Sequence, residues 1–194
     1  MHDLKAQQRA RFLAPLRGMP SSAVVELSRK IGEHVIRSPF FQAAGAALPY
    51  RAMDSEVDTD AVRAAGNASG KLLYCGLALR RTGGLEFVRV APGEAPDRGA
   101  CCTCKPTGDE AFRPGQQPVL VIVPRVAFDR SRARLGRGRG YYDRKVRRLR
   151  PPADILGLTF NMQLASSLPR DAHTELGVLC CTEACHPRMP DRPD

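Results

Sequence analysis

The longest purely apolar run in this chain, Val119 to Val123, falls far short of the roughly 20 residues a helix needs to cross a bilayer. A membrane-spanning helix is excluded on that ground. The opening stretch MHDLKAQQRARFL scatters charges through a helical pattern and lacks the apolar segment a secretory signal carries, so the expected compartment is the cytoplasm. Seven cysteines are an odd number, which leaves at least one unpaired in a monomer. Without a secretion signal they read as mostly reduced thiols and not as a disulfide framework. Neither the G-x-G-x-x-G dinucleotide pattern nor the Gly-Lys-Ser/Thr ending of a Walker A loop occurs, so the functions tied to those loops do not transfer. Internal repeats are absent as well.

What is present fits one domain. The 194 residues are 43% hydrophobic and 26% charged, enough apolar material for a core and close to globular averages. A single domain over residues 1–194 is expected, with a disordered tail from about residue 186. Thirty basic residues against twenty acidic ones give a net charge of +10, which favours polyanionic partners: nucleotides, nucleic acid or a polyglutamylated substrate.

Apolar spacing predicts helices over residues 3–17, 21–36 and a short third one after Pro39, then a strand over 46–51 and a helix over 58–68 stopped by Gly70. Strands are expected over 71–79 and 85–90 around the turn Gly83-Gly84, with a long loop over 91–118. Val119 to Val123 reads as a central parallel strand, apolar on both faces. The segments ADILGLTF and VLCC supply two more strands. Strands alternating with helices argue an α/β fold, a mostly parallel central sheet flanked by helices.

After the central strand comes a glycine-rich turn, then a helix starting near Tyr141. Gly136, Gly138 and Gly140 let the backbone take positive φ and bring amide N–H groups close to an anion, and the helix adds its positive end. Arg134, Arg137 and Arg139 offer planar guanidinium forks for phosphate oxygens. Asp143 stands one turn on, where it could hold magnesium beside those phosphates. By itself Arg-Gly-Arg-Gly describes equally a flexible basic turn or a nonspecific RNA contact. Lys5 and Arg9, four residues apart, share one helix face; Tyr50 and Arg51 end a strand, where ligand contacts collect in parallel sheets.

The full string RLGRGRGYYD, residues 134–143, resembles the signature of the 5-formyltetrahydrofolate cyclo-ligases, also called 5,10-methenyltetrahydrofolate synthetases. Other landmarks follow in order: Lys5 and Arg9, then EVDT from Glu56 to Thr59, then PRVAFD from Pro124 to Asp129, then His173 after an LP pair, then Thr182-Glu183. The resemblance covers nearly the whole chain. It implies an ATP site built by Lys5, Arg9, Arg134, Leu135, Gly136, Arg137, Gly138, Arg139, Gly140, Tyr141 and Tyr142. A folate site would use Glu56, Arg51 and Tyr141, and Asp143 would take Mg2+. The implied reaction is attack of the formyl oxygen of 5-formyltetrahydrofolate on the γ-phosphate of ATP, then ring closure by a neighbouring folate nitrogen. Its demands are charge neutralisation and alignment of two substrates. The implied partners are small molecules, with or without a polyglutamate tail, acting on a monomer.

The chain departs from that pattern at several positions. Thr174 stands where an Asp follows the His, as a second magnesium contact; Asp171 and Glu175 lie within a short loop's reach of it. Gly76 replaces a Pro, Lys105 an acidic residue, and Arg125 the glycine after Pro124. These departures leave room for a relative that binds ATP or folate without turnover. A nucleic-acid-binding module on residues 130–150 is the other class, but that stretch lacks interleaved aromatic platforms. Zinc on Cys101, Cys102 and Cys104, or on Cys180, Cys181, Cys185 and His186, is disfavoured because only Cys181 to Cys185 approximates a metal knuckle.

Overall fold

The computed structural model describes residues 2–53, 56–79, 81–92, 94, 97–98, 104–105, 110–113, 115, 117–129, 133–149, 153–169 and 179–184. Two helices open the chain, α1 (His2–Arg17) and α2 (Ser21–Ile36). Pro20, with no N–H to donate, stands at the N-cap of α2. The buried side of α2 is the stripe Ser28, Ile31, Gly32 and Val35. By contrast, among the described side chains of α1 only Phe12 and Leu16 are buried, and the helix continues through Pro15. The short α3 (Pro39–Ala43) is capped by Ser38, whose hydroxyl accepts the Phe41 N–H at 3.2 Å.

The remaining elements are β1 (Ala46–Leu48), α4 (Asp60–Ala68), β2 (Leu72–Leu79), β3 (Gly84–Arg89), β4 (Asp97–Arg98), β5 (Cys104–Lys105), β6 (Val119–Pro124), β7 (Ala127–Asp129), β8 (Arg134–Leu135), α5 (Tyr141–Arg147), β9 (Ala153–Leu158), β10 (Leu164–Ala165) and β11 (Leu179–Cys181). Six strands form the main sheet in the order β11-β9-β6-β1-β2-β3. Every pairing is parallel except β2 with β3, a hairpin turned at Gly83 with φ +65°. Helices flank this mostly parallel sheet, as the alternation of elements predicts, and β6 is buried along its whole length.

Three local differences have physical causes. β1 stops at Leu48, before Pro49, which cannot donate to the ladder. Tyr50 then turns into the core, donating its hydroxyl to Val57 O at 2.7 Å, while the Thr59 hydroxyl donates to Tyr50 O at 2.6 Å. α4 begins at Asp60 because the Asp58 carboxylate accepts the Asp60 N–H at 2.6 Å, closing an Asx turn ahead of the helix. The stretch expected as one long loop carries the antiparallel pair β4 and β5.

The segment after β6 is more than a glycine turn. β7 and β8 form a hairpin, and β10 joins β7 in parallel to complete a second, three-stranded sheet. Buried Asp129 pins it, one carboxylate oxygen accepting the Ala133 N–H at 3.0 Å and the other the Leu168 N–H at 2.9 Å. Phe12 packs with Val126, Ala127, Ala133, Leu135 and Leu168, so α1 docks on this small sheet.

Cys75, on β2, is disulfide-bonded, which corrects the expectation of reduced thiols at that position. Cys180 and Cys181 are thiols. Among the described residues no group of three or more His, Cys, Asp or Glu side chains could hold a metal ion, and no helix is long and apolar enough to cross a membrane. Cys101, Cys102, Asp171, His173, Thr174, Glu175, Cys185, His186 and the tail lie outside the described residues.

Candidate active site

β1 lies between β2 and β6, all parallel. The chain leaves β1 towards β2 on one side and returns through β6 on the other. Loops leaving the carboxyl ends of β1 and β6 therefore part around a crevice, the place where open α/β sheets bind ligands. A cavity of about 300 Å³ occupies it. Met53 and Glu56 come to it from the loop after β1, Pro124 and Arg125 from the end of β6, and Gly136, Arg137, Arg139, Gly140, Tyr141, Tyr142 and Asp143 from the loop and helix that follow β8.

The glycines shape one wall. Gly138 has φ +103° and Gly140 +65°, both left-handed, and a Cβ on Gly138 would stand 3.4 Å from the Arg9 guanidinium. Arg9 donates from Nε to Gly136 O at 2.8 Å, so α1 clamps the loop. Lys5 lies one turn earlier on α1 and is half-buried. Arg144, midway along α5, donates to Gly83 O at 2.6 Å and Arg139 O at 3.2 Å, tying the loop to the β2–β3 hairpin. Tyr142 packs edge-on against Phe87, ring centroids 6.3 Å apart. Gly76 makes room for it, since a Cβ there would lie 3.0 Å from the Tyr142 hydroxyl.

The two carboxylates differ. Glu56 is buried with 4% of its side chain exposed, and Arg137 donates from Nε to its Oε1 at 2.8 Å. Its Oε2 accepts the Met53 N–H at 3.0 Å, closing the loop on itself. Asp143 meets two arginines at Oδ1, which accepts hydrogen bonds from Arg134 Nε at 3.0 Å and Nη2 at 2.7 Å and forms an ion pair with Arg125 Nη2 at 3.3 Å. Burial alone would push the Asp143 carboxyl up, but the charges of Arg125 and Arg134, an Arg134 hydrogen bond and the Arg147 charge together hold it below its ordinary value.

Most residues singled out in the sequence gather here, with exceptions. Arg134 is buried and holds Asp143, while Leu135 faces the apolar cluster under α1. Arg51 points elsewhere, donating to Asp60 at 3.1 Å beside a different, very small cavity. Arg125, read in the sequence only as a departure, lines the cavity; its place directly after the central strand was the available signal. Met53 was missed too, and no residue pattern marks it.

A second hollow of about 800 Å³ opens beyond Met53 and Glu56, which line both. The end of α1, one face of α2 and the start of α4 enclose it, with Leu16, Val24 and Ala52 among its apolar lining. Glu56 thus stands between a cavity lined by arginines and glycines and a larger hollow of mixed apolar and polar lining, with Arg17, Arg29 and Asp58 at its polar part.

As a protein-bound position for Mg2+ the set does not fit. Magnesium takes oxygen ligands in an octahedron at about 2.1 Å, whereas Oδ1 of Asp143 is already met by two guanidinium groups. Three arginines against two carboxylates line the cavity, and Arg9 and Arg134 stand directly behind it. That balance favours an anion over a cation.

Comparison with known proteins agrees with this geometry. The 5-formyltetrahydrofolate cyclo-ligase family matches residues 2–176. A 5-formyltetrahydrofolate cyclo-ligase of Mycolicibacterium smegmatis is 37% identical over 54 residues, 28% of each chain. One from Mus musculus is 22% identical over 89% of this chain and 90% of its own. The 5,10-methenyltetrahydrofolate synthetase of Aquifex aeolicus superposes with a TM-score of 0.83 at 26% identity, over 98% of this chain and 95% of that one. That of Mycoplasma pneumoniae shares the fold, with a TM-score of 0.73 at 18% identity, over 92% of this chain and 98% of that one. The chain belongs to the 5-formyltetrahydrofolate cyclo-ligase family.

Proposed function

We propose that this chain converts 5-formyltetrahydrofolate to 5,10-methenyltetrahydrofolate with ATP as co-substrate, releasing ADP and phosphate. The observation that carries the reading is the pair of adjoining cavities that meet at Met53 and Glu56, one lined by guanidinium groups and glycines, the other larger, with apolar residues such as Leu16, Val24 and Ala52 beside the charged Arg17, Arg29 and Asp58. The ATP phosphates belong in the first, against Arg137, Arg139 and the amides of residues 136–140, with Arg9 and Lys5 approaching from α1. The reduced folate belongs in the second, its pterin end donating N–H groups to Glu56 and its formyl group directed past Met53 towards the γ-phosphate.

In the reaction the formyl oxygen forms a bond to the γ-phosphorus as the bond to the β,γ-bridging oxygen breaks. ADP leaves with the electron pair. The neighbouring folate amine nitrogen then adds to the activated carbon and gives up its proton, and phosphate departs with the electron pair of the carbon–oxygen bond. Arginines and backbone amides act here by holding charge and geometry, worth most where water is excluded. Tyr141, over which Arg144 lies at 5.7 Å, lines the phosphate cavity. Mg2+ enters as the counter-ion ATP ordinarily carries in solution, and no step depends on a protein-bound position for it. The enzyme so read is a cytoplasmic monomer working on small molecules.

Purified protein given 5-formyltetrahydrofolate, ATP and Mg2+ should generate the absorbance of methenyltetrahydrofolate. No product at high enzyme concentration refutes the reading. The Thr174 departure favours one second reading, binding without turnover. Thermal stabilisation by both substrates with no product would establish it.

A further inference from the structure

We infer that Arg125 is a resident cation at Asp143, standing where a divalent ion would otherwise sit and supplying its positive charge to the phosphates of a bound nucleotide. The inference rests on the reading that this cavity binds a nucleotide.

Arg125 emerges from the carboxyl end of β6 with 3% of its side chain exposed, and it lines the cavity. Its Nη2 lies 3.3 Å from Oδ1 of Asp143, the oxygen that Arg134 Nη2 approaches to 2.7 Å from the other side. A metal ion about 2.1 Å from that oxygen would share its shell with two guanidinium groups, and like charges at such range repel strongly in a partly buried site. Arg125 also reaches beneath the glycine loop, where a Cβ on Gly136 would come 3.4 Å from its Nη1. The same guanidinium therefore borders both the carboxylate and the backbone that cradles phosphate. A planar fork fixed in this way offers paired N–H donors to phosphate oxygens.

Two departures in the sequence change its charge, both towards the positive. Arg125 stands where the signature has glycine, adding a positive charge beside Asp143, and Thr174 stands where it has aspartate, removing a negative one. An ion approaching Asp143 meets a fixed cation there. Phosphate gains a partner that no chelator can remove.

The test is ATP binding to the full chain by isothermal titration calorimetry, once in EDTA and once in excess Mg2+, for the native chain, Arg125→Gly and Arg125→Lys. The native Kd in EDTA should lie within about threefold of its value in Mg2+. Arg125→Gly should weaken binding in EDTA by about tenfold or more, the scale of one charge-assisted contact, and Mg2+ should recover most of that loss. Arg125→Lys, which keeps the charge, should fall between. Native protein that binds ATP only with Mg2+ overturns the inference and spares the nucleotide reading. Binding under neither condition overturns both. The native comparison needs no variant, so it decides even if Arg125→Gly fails to fold; a folded Arg125→Gly with native affinity in EDTA also overturns the inference.

Discussion

Replacing Asp143 by Asn removes one negative charge while keeping the side chain's shape. Asp143 faces two guanidinium groups with 3% and 2% of their side chains exposed. Removing one partner of a buried ion pair costs about 3–5 kcal/mol, because the other charge is left uncompensated. Asp143 itself keeps 34% of its side chain exposed, so solvent screening trims the figure. A loss of about 2–3 kcal/mol is expected, and at roughly 2–4 °C per kcal/mol in a chain of this size Tm should fall by about 4–12 °C. Urea unfolding at pH 7 in EDTA measures it. The pH dependence carries the sign: the folded carboxyl is held below its unfolded value of about 3.9. Its stabilisation is fully present above that unfolded value and is lost as pH falls through the folded one. The native chain and Asp143→Asn should therefore converge in stability as the solution is acidified below about pH 4. A metal ligand starved of its ion would behave oppositely, since neutralising it would relieve strain. An Asp143→Asn variant as stable as the native chain at pH 7, to within about 1 kcal/mol, would refute the account of Asp143 as an arginine anchor.

Three further outcomes follow from the same geometry. Arg139→Ala, at an exposed position, should leave the fold intact and raise the apparent KM for ATP by about tenfold or more; unchanged affinity removes this arginine from the site. Glu56→Gln should raise KM for 5-formyltetrahydrofolate by a similar factor of about ten while leaving ATP binding near native, as steady-state kinetics on each substrate would reveal. Gly157→Ala should destabilise the chain by about 1–3 kcal/mol or more through overpacking, because its Cβ would fall 2.0 Å from Phe128 Cζ; denaturant unfolding checks it.

Much of this architecture is written in residue patterns long enough to be periodic. The apolar stripe of α2 and the unbroken run of β6 are such patterns, and the glycine loop announces itself by backbone freedom that only glycine supplies. The hairpin of β7 and β8 is not, because strands of two or three residues cannot establish an alternation. For the same reason Arg134 read as a phosphate ligand: nothing in Arg-Leu-Gly-Arg tells which arginine turns inward, and the strand pairing of Arg134 with Phe128 decides it. Arg125 was visible only as an oddity, since the carboxylate it serves is eighteen residues away and the burial that gives it weight is a property of the fold. Gln163 belongs to the same class. It donates to Val126 O at 2.8 Å, bracing the residue beside Arg125 from another strand connection.

The hydrogen bond from Arg9 to Gly136 O joins residues 127 positions apart. Contacts across so long a loop are made late, after the entropy of closing that loop has been spent. In a nascent chain the first helix therefore waits unclasped until residue 136 has left the ribosome. A rigid fusion partner at the amino end should impair ligand binding well before it impairs folding, and a circular permutant that joins α1 directly to the cradle should assemble its site sooner than the natural chain does.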